Sequence, residues 1–322
     1  MDLIESIREK INVFSDTDNY LGLQTIVTHI EVAERHFDMG KKGDDHYFTD
    51  VIYRTNQAFE GSLKEAYILL TGNDAENKSP YKIEKYLEQE NILKERVLSL
   101  FSNYRMEWRN KSTHDYKLYF SSQEAFLAII SICAFFNILL DQMIEAKAYM
   151  QEKEELKQAQ NLTSDSYSEQ LFLDQVIQLL THFSKDIMAK ESETTRFLET
   201  EILGMLAAYL NVADPELEVL REYTLPIGSR TIRADILLRK GSENLIIEVK
   251  RSNQNILIRR KTGREQLVTY MAASGISKGI LFIAPALKSQ EVAVEQMELQ
   301  NSVFTGTLVE IYPKNTTTNI AT

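Results

Sequence analysis

The 322-residue sequence predicts a chain of two parts, α + α/β: an all-helical bundle over residues 1–160, then an α-β-β-β-α-β domain with a mixed sheet from residue 191. Three observations carry this. Apolar residues recur at helical spacing through the first half. After Glu191 the pattern changes to short apolar runs of strand length alternating with helical stretches. The composition, 43% hydrophobic and 26% charged, is that of a globular protein able to bury a sizeable core.

Helical spacing runs through Leu21–Phe37, Val51–Leu70, Ile83–Arg109 and Gln123–Ala148. Breaks fall at Gly40–Asp45, Gly72–Asp74 and Ser79-Pro80, where glycine, proline and short polar side chains favour turns. Helices joined by short loops imply a bundle. Its most apolar stretch, Ala125–Leu140, is shorter than a membrane span requires and contains Ser131 and Asn137, so it reads as the central helix. Gln151–Gln170 is polar, with a linker around Asn161–Ser168, and Leu171–Met188 reads as a helix bridging to the second domain. Residues 161–190 are thus expected to be linker and bridge.

In the second domain, residues 191–314, a helix is expected over Thr194–Leu210. Strands Leu217–Leu225 and Arg230–Arg239 flank a turn at Pro226–Ser229, and Asn244–Arg251 is a third strand. A helix through Gly263–Ala273, strand Gly279–Ala284, helix Lys288–Leu299 and strand Thr307–Tyr312 complete the domain. The tail at 315–322 reads as frayed.

The only cysteine is Cys133, which excludes a disulfide framework and a cysteine zinc site and makes cytoplasm the default compartment. Met1–Lys10 has no apolar secretory core. A net charge of −11 argues against a protein that coats nucleic acid nonspecifically. That charge is uneven: residues 191–322 carry 15 Lys/Arg against 16 Asp/Glu, so the acidity lies in 1–190. Lys250, Arg251, Arg259, Arg260, Lys261 and Arg264 form a basic stretch that could track phosphates or simply be a solvated helix face.

The chemistry-bearing residues of the second domain are Asp235, Glu248 and Lys250. Glu248 and Lys250 are two apart on an apolar strand and project from one face. Asp235, on the adjacent antiparallel strand, can pair across to them. Two converging carboxylates make a hard oxygen site for Mg²⁺ or Mn²⁺, and a lysine beside them can hold an attacking water and contact a phosphate. Charges in an otherwise buried strand cost several kcal/mol when unpaired, which points to a functional reason.

The set resembles the PD-(D/E)xK nuclease superfamily, with its restriction-endonuclease-like fold: Asp235 followed by Glu248-x-Lys250. Ala234 stands where that motif often carries proline. Glu199, favoured over Glu201, matches the acidic helix that adds a metal-facing glutamate. Gln266-x-x-x-Tyr270 matches the Q-x-x-x-Y element of the subset that includes RecB-like and type I restriction-subunit nucleases. The resemblance implies catalytic Asp235, Glu248, Lys250, Glu199 and Gln266, with Asp235, Glu248 and Glu199 as ligands of Mg²⁺ or Mn²⁺.

In the first domain, Arg109-Asn110-Lys-Ser-Thr-His114 falls between two expected helices. It resembles the R-x(4–6)-H motif of HEPN helical bundles, as does the helix segment Asn56–Tyr67. That resemblance covers residues 20–150. It implies a metal-independent ribonuclease centre, with His114 moving a proton, Arg109 stabilising the phosphate through its fork of donors and Asn110 orienting either. It also implies a homodimer. His29, His36, His46 and His182 lack metal-ligand spacing.

Three functions follow. The first is a Mg²⁺-dependent endonuclease, expected to act on DNA in prokaryotic defence against phage or foreign DNA, with a HEPN domain for dimerisation or a second activity. The second is a metal-independent HEPN ribonuclease toxin whose C-terminal domain recognises nucleic acid. The third is a non-catalytic binding protein. Expected partners are DNA or RNA, a second copy of the chain and a defence-system subunit, with no membrane. No Walker motif is visible, so an energy-dependent step would need such a partner.

Overall fold

Two long helices show how the N-terminal pattern becomes structure. Helix α2 (Asn19–Lys41) buries Leu23, Ile26, Val27, Ile30 and Ala33 along one stripe. Helix α3 (His46–Thr71) buries Val51, Ile52, Ala58, Phe59, Leu63, Ala66 and Tyr67, and ends at Gly72, whose φ of 69° a side chain would resist. They follow α1 (Leu3–Ile11) and a short 3₁₀ turn (Asn12–Phe14). In this computed structural model the described residues are 3–110, 119–159, 171–192, 196–227, 230–252, 255–286, 291–300 and 304–314. His114, the expected linker at Asn161–Ser168 and the tail from residue 315 lie outside them.

The expected helix over Ile83–Arg109 is instead two. Helix α4 (Pro80–Gln89) starts at Ser79, whose hydroxyl accepts from the Lys82 amide. Helix α5 (Glu95–Tyr104) follows and runs into a π-helical turn at Arg105–Arg109. The break holds because Asn91 takes a left-handed φ of 51° and Gln142 satisfies the freed backbone. Its side chain accepts from the Lys94 amide at 3.0 Å and donates to the Ile92 carbonyl at 2.7 Å.

Helix α6 (Ser122–Ala159) contains the apolar stretch read as a central helix. Ile132, Phe135, Phe136, Leu139, Leu140 and Met143 are buried on it. Phe135 packs 5.2 Å from Phe59, which stacks on Tyr104 at 4.6 Å. Ser122–Gln158 is long and apolar enough to cross a membrane, and 61% of its most apolar window is buried in the protein.

Contacts divide the chain into Met1–Lys147 and Ala148–Thr322, so the division falls within α6, ahead of the boundaries at 160 and 191 expected from the sequence. In the second unit α7 (Phe172–Lys190) and α8 (Glu199–Ala213) cover one face of a sheet. Phe183 of α7 packs 6.0 Å from Phe282 of the sheet and 5.3 Å from Tyr209 of α8. The helix expected to bridge is therefore part of this core.

The sheet has the order β1-β2-β3-β4-β6-β5. Strands β1 (Glu218–Ile227), β2 (Arg230–Lys240) and β3 (Glu243–Arg251) form an antiparallel meander. β3, β4 (Lys278–Ala284) and β6 (Thr305–Pro313) run parallel, and β5 (Val292–Gln300) closes the edge antiparallel to β6. Helix α9 (Ile256–Ser274) crosses over from β3 to β4 on the face opposite α7 and α8. A mixed six-stranded sheet between helical layers follows an N-terminal helical region, an α + β architecture where the sequence predicts α + α/β.

One element is corrected. The helix expected over Lys288–Leu299 is strand β5, and residues 287–290 lie outside the described part. Glu, Gln, Met, Leu and Ala favour a helix locally, but pairing with β6 from Val292–Pro313 to Gln300–Thr305 decides the outcome.

Candidate active site

The interior of β3 alternates between two cores. Leu245, Ile247 and Val249 face α7 and α8, whereas Ile246 faces α9. By the same alternation Glu248 and Lys250 belong to the α9 face. Here β2 skips one pair with β1 and ends its pairing with β3. The β1–β2 register pairs Arg221 with Ile236 and Tyr223 with Ala234, passing over Glu222 and Asp235. The β2–β3 register runs to Ile236–Ile247 and stops. Asp235 Oδ2 instead accepts the Val249 amide at 2.8 Å, which fixes its carboxylate at the point of divergence.

Lys250 bridges the two acids. Its ammonium pairs with Glu248 Oε1 and stands 3.8 Å from Asp235 Oδ2. The Glu248 side chain is fully buried, while those of Lys250 and Asp235 keep 14% and 30% exposure, so the cluster opens on the Asp235 side. Glu248 Oε2 is buried without a hydrogen-bond partner among the described residues, and such an atom is costly unless a ligand or cation meets it.

Burial, then the Asp235 charge, push the Glu248 carboxyl up to about 7 against the pull of Lys250. Asp235 is also raised, first by burial; Lys250 and the Val249 amide oppose this, and Glu199 and Glu222 add to it. Burial lowers Lys250, but Asp235 and Glu248 outweigh it and the net shift is upward. It therefore acts here as an ammonium donor.

Helix α8 brings Glu199 to the same place. Glu201 accepts the Leu198 amide at 2.7 Å and caps the helix. Glu199 Oε2 accepts the Arg251 amide at 3.0 Å, and its charge acts on Asp235, Glu248 and Lys250. Arg251 also reaches buried Glu191 at 3.6 Å, tying the segment before α8 to the end of β3.

From the other layer, Gln266 Nε2 donates to the Tyr270 hydroxyl at 2.7 Å. Burial raises the Tyr270 phenol, and the charges of Glu248 and Asp235 add to this. Helix α9 lies close because two glycines let it. A Cβ at Gly263 would sit 2.6 Å from Leu281 Cδ1, and one at Gly279 would sit 2.4 Å from Met271 Sδ.

Asp235, Glu248, Lys250, Glu199, Gln266 and Tyr270 are thus gathered at one end of β3. Among the described residues no three His, Cys, Asp or Glu side chains form a ready-made cation cage. The lysine ammonium lies between the carboxylates instead. The donor set fits a hard divalent cation on one count above all: buried Glu248 keeps an orphaned oxygen.

The basic stretch is not a single phosphate track. Arg260 and Arg264 both bind Glu310, which is fully buried on β6, at 2.7 and 2.5 Å through their Nε atoms. Arg260 also pairs with Glu295 at 2.5 Å and lies 3.6 Å over the Tyr312 ring. Arg251 faces Glu191, and Lys261 is exposed.

In the first unit, Arg109 closes the π-helical turn, a form often found at functional places. Its guanidinium lies 3.6 Å from Glu60 and 3.5 Å from buried Glu84, and Asn110 Oδ1 accepts from it at 3.5 Å. Burial raises the Glu84 carboxyl, and Arg109 opposes this. In this conformation Arg109 serves carboxylates.

Sequence reasoning missed Glu222, Glu191 and the positioning part of Arg251. Nothing in a strand pattern marks a left-handed residue, and Glu191 stands 60 positions before Arg251 in the chain. No family model matches this chain, and neither a curated protein nor a solved structure matches it.

Proposed function

We propose that this chain is a divalent-metal-dependent endonuclease that hydrolyses phosphodiester bonds, with DNA as its substrate and a role in prokaryotic defence. The reading takes the C-terminal unit as a PD-(D/E)xK nuclease and the N-terminal helices as a HEPN-like dimerising domain. The observation that carries it is Glu248: a fully buried carboxylate with an orphaned oxygen, joined through Lys250 to Asp235.

Asp235, Glu248 and Glu199 would hold Mg²⁺ or Mn²⁺, which when bound neutralises charge on the phosphate oxygens and makes a water more acidic. The chain supplies the rest. Freed from Glu248, the Lys250 ammonium can donate to the attacking water and to a non-bridging phosphate oxygen. Asp235, held by the Val249 amide, stays aligned beside it. The Gln266–Tyr270 pair presents a hydroxyl at the rim that can position a neighbouring phosphate.

The test is cleavage of DNA and RNA by the purified chain, each with Mg²⁺ or Mn²⁺ and with EDTA. DNA cleavage that needs the cation and is lost in Asp235→Ala supports the reading. Cleavage that persists in EDTA, or in Asp235→Ala, overturns it.

A further inference from the structure

The reading above uses three carboxylates, and the backbone delivers a fourth. Glu222 sits on β1 between Arg221, paired with Ile236, and Tyr223, paired with Ala234, which makes Asp235 its cross-strand neighbour. Glu222 has φ 45°, a left-handed conformation inside a strand. A glutamate adopts it only at a cost that glycine or asparagine would avoid. Like charges opposite each other across antiparallel strands are also unfavourable, and the Glu222 charge does push the Asp235 carboxyl up.

We propose that Glu222 is a fourth carboxylate of this site and holds the divalent cation jointly with Asp235; this rests on the nuclease reading. Two independent features converge on it. Glu199, Asp235 and Glu248 all act on one ammonium, Lys250, and the β1–β2 register sets Glu222 opposite Asp235. Separately, the buried Glu248 Oε2 has no hydrogen-bond partner among the described residues. The left-handed φ at Glu222 coincides with the one pair, Glu222 and Asp235, that the β1–β2 register passes over.

The experiment titrates Mn²⁺ into the full chain, without nucleic acid, for wild type, Glu222→Gln, Glu222→Gly and Glu248→Gln, and records melting temperatures in EDTA. Glu222→Gln is expected to weaken Mn²⁺ binding about ten-fold or more. Glu222→Gly is expected to weaken it equally while raising the EDTA melting temperature by about 2–4 °C, because strain and repulsion are both removed. Wild-type Mn²⁺ affinity in Glu222→Gln overturns the proposal. So does a Glu222→Gly chain that melts lower than wild type and binds Mn²⁺ normally. If wild type and Glu248→Gln both fail to bind Mn²⁺, the nuclease reading falls with it. If Glu248→Gln alone loses binding and Glu222→Gln keeps it, this inference alone falls.

Discussion

Asp235 Oδ2 accepts the Val249 amide at 2.8 Å where the β2–β3 register stops, so a side chain takes over a backbone donor at the edge of the candidate site. The carboxylate therefore has a structural duty besides any catalytic one. Asp235→Ala leaves a strand amide without its acceptor, at a cost of about 1–3 kcal/mol. Asp235→Asn keeps an oxygen for that amide and removes the charge. Asn should retain most of the melting temperature and lose Mn²⁺ binding; equal melting temperatures for Asn and Ala would contradict this account of the Val249 contact.

Glu248 contributes to the pH dependence of stability in EDTA. Its carboxyl is pushed from 4.5 to about 7 by burial and by Asp235. Between those values the folded chain holds a proton that the unfolded chain has released, so stability falls as pH rises through that window. Below pH 4.5 the penalty is absent, and above about 7 it is complete, on the order of 3 kcal/mol. Denaturant unfolding at pH 5 and pH 8 measures it, and Glu248→Gln should reduce the difference. An unchanged difference in Glu248→Gln would show that other groups cause it.

Much of this site was legible because charge in an apolar strand is conspicuous: Glu248 and Lys250 stand between Ile246, Ile247 and Val249, all buried. Long periodic helices such as α2 and α3 were legible for the same reason, that one face must be buried. What could not be read depends on distant partners. β5 has helix-forming residues and is a strand only because β6 pairs with it. The break before α5 depends on Gln142, about 50 residues away. Arg260 and Arg264 look like a phosphate track until Glu310 is seen beneath them, and no spacing encodes the left-handed φ of Glu222 beside Asp235.

Glu310 gives a stability prediction. It is fully buried and holds α9 to β6 through two arginines. Glu310→Ala removes the buried carboxylate shared by Arg260 and Arg264, leaving Arg260, whose side chain is 15% exposed, with Glu295 as its carboxylate partner, and should destabilise the second unit by about 1.5–3 kcal/mol. A fall in melting temperature with α9 loosened in hydrogen exchange is the expected result; a change below about 0.5 kcal/mol would mean the clamp is energetically idle.

Packing between α9 and β4 is tight at Gly263. Gly263→Ala places a methyl 2.6 Å from Leu281 Cδ1 and should cost about 1–3 kcal/mol. Because Gln266 and Tyr270 lie on the same helix, DNA cleavage should fall more than stability alone explains. Full activity in a destabilised Gly263→Ala chain would show that helix position does not matter to the site.

Arg109 pairs with Glu60 and with buried Glu84, so Arg109→Ala should lower the melting temperature of the first unit by removing the cation beside a buried carboxylate. His114→Ala is then the cleaner probe of the ribonuclease alternative. RNA cleavage that survives EDTA and vanishes in His114→Ala, in a chain as stable as wild type, would establish that activity. Equal RNA cleavage by both would remove it.

The most direct test is single-turnover DNA cleavage at saturating Mn²⁺ by wild type and Lys250→Ala. Lys250 contacts both central carboxylates, and the proposed mechanism has its ammonium donate to the reacting phosphate. The account predicts cleavage by wild type and a loss of about 10²–10³-fold or more in Lys250→Ala. Undiminished cleavage by Lys250→Ala would contradict it.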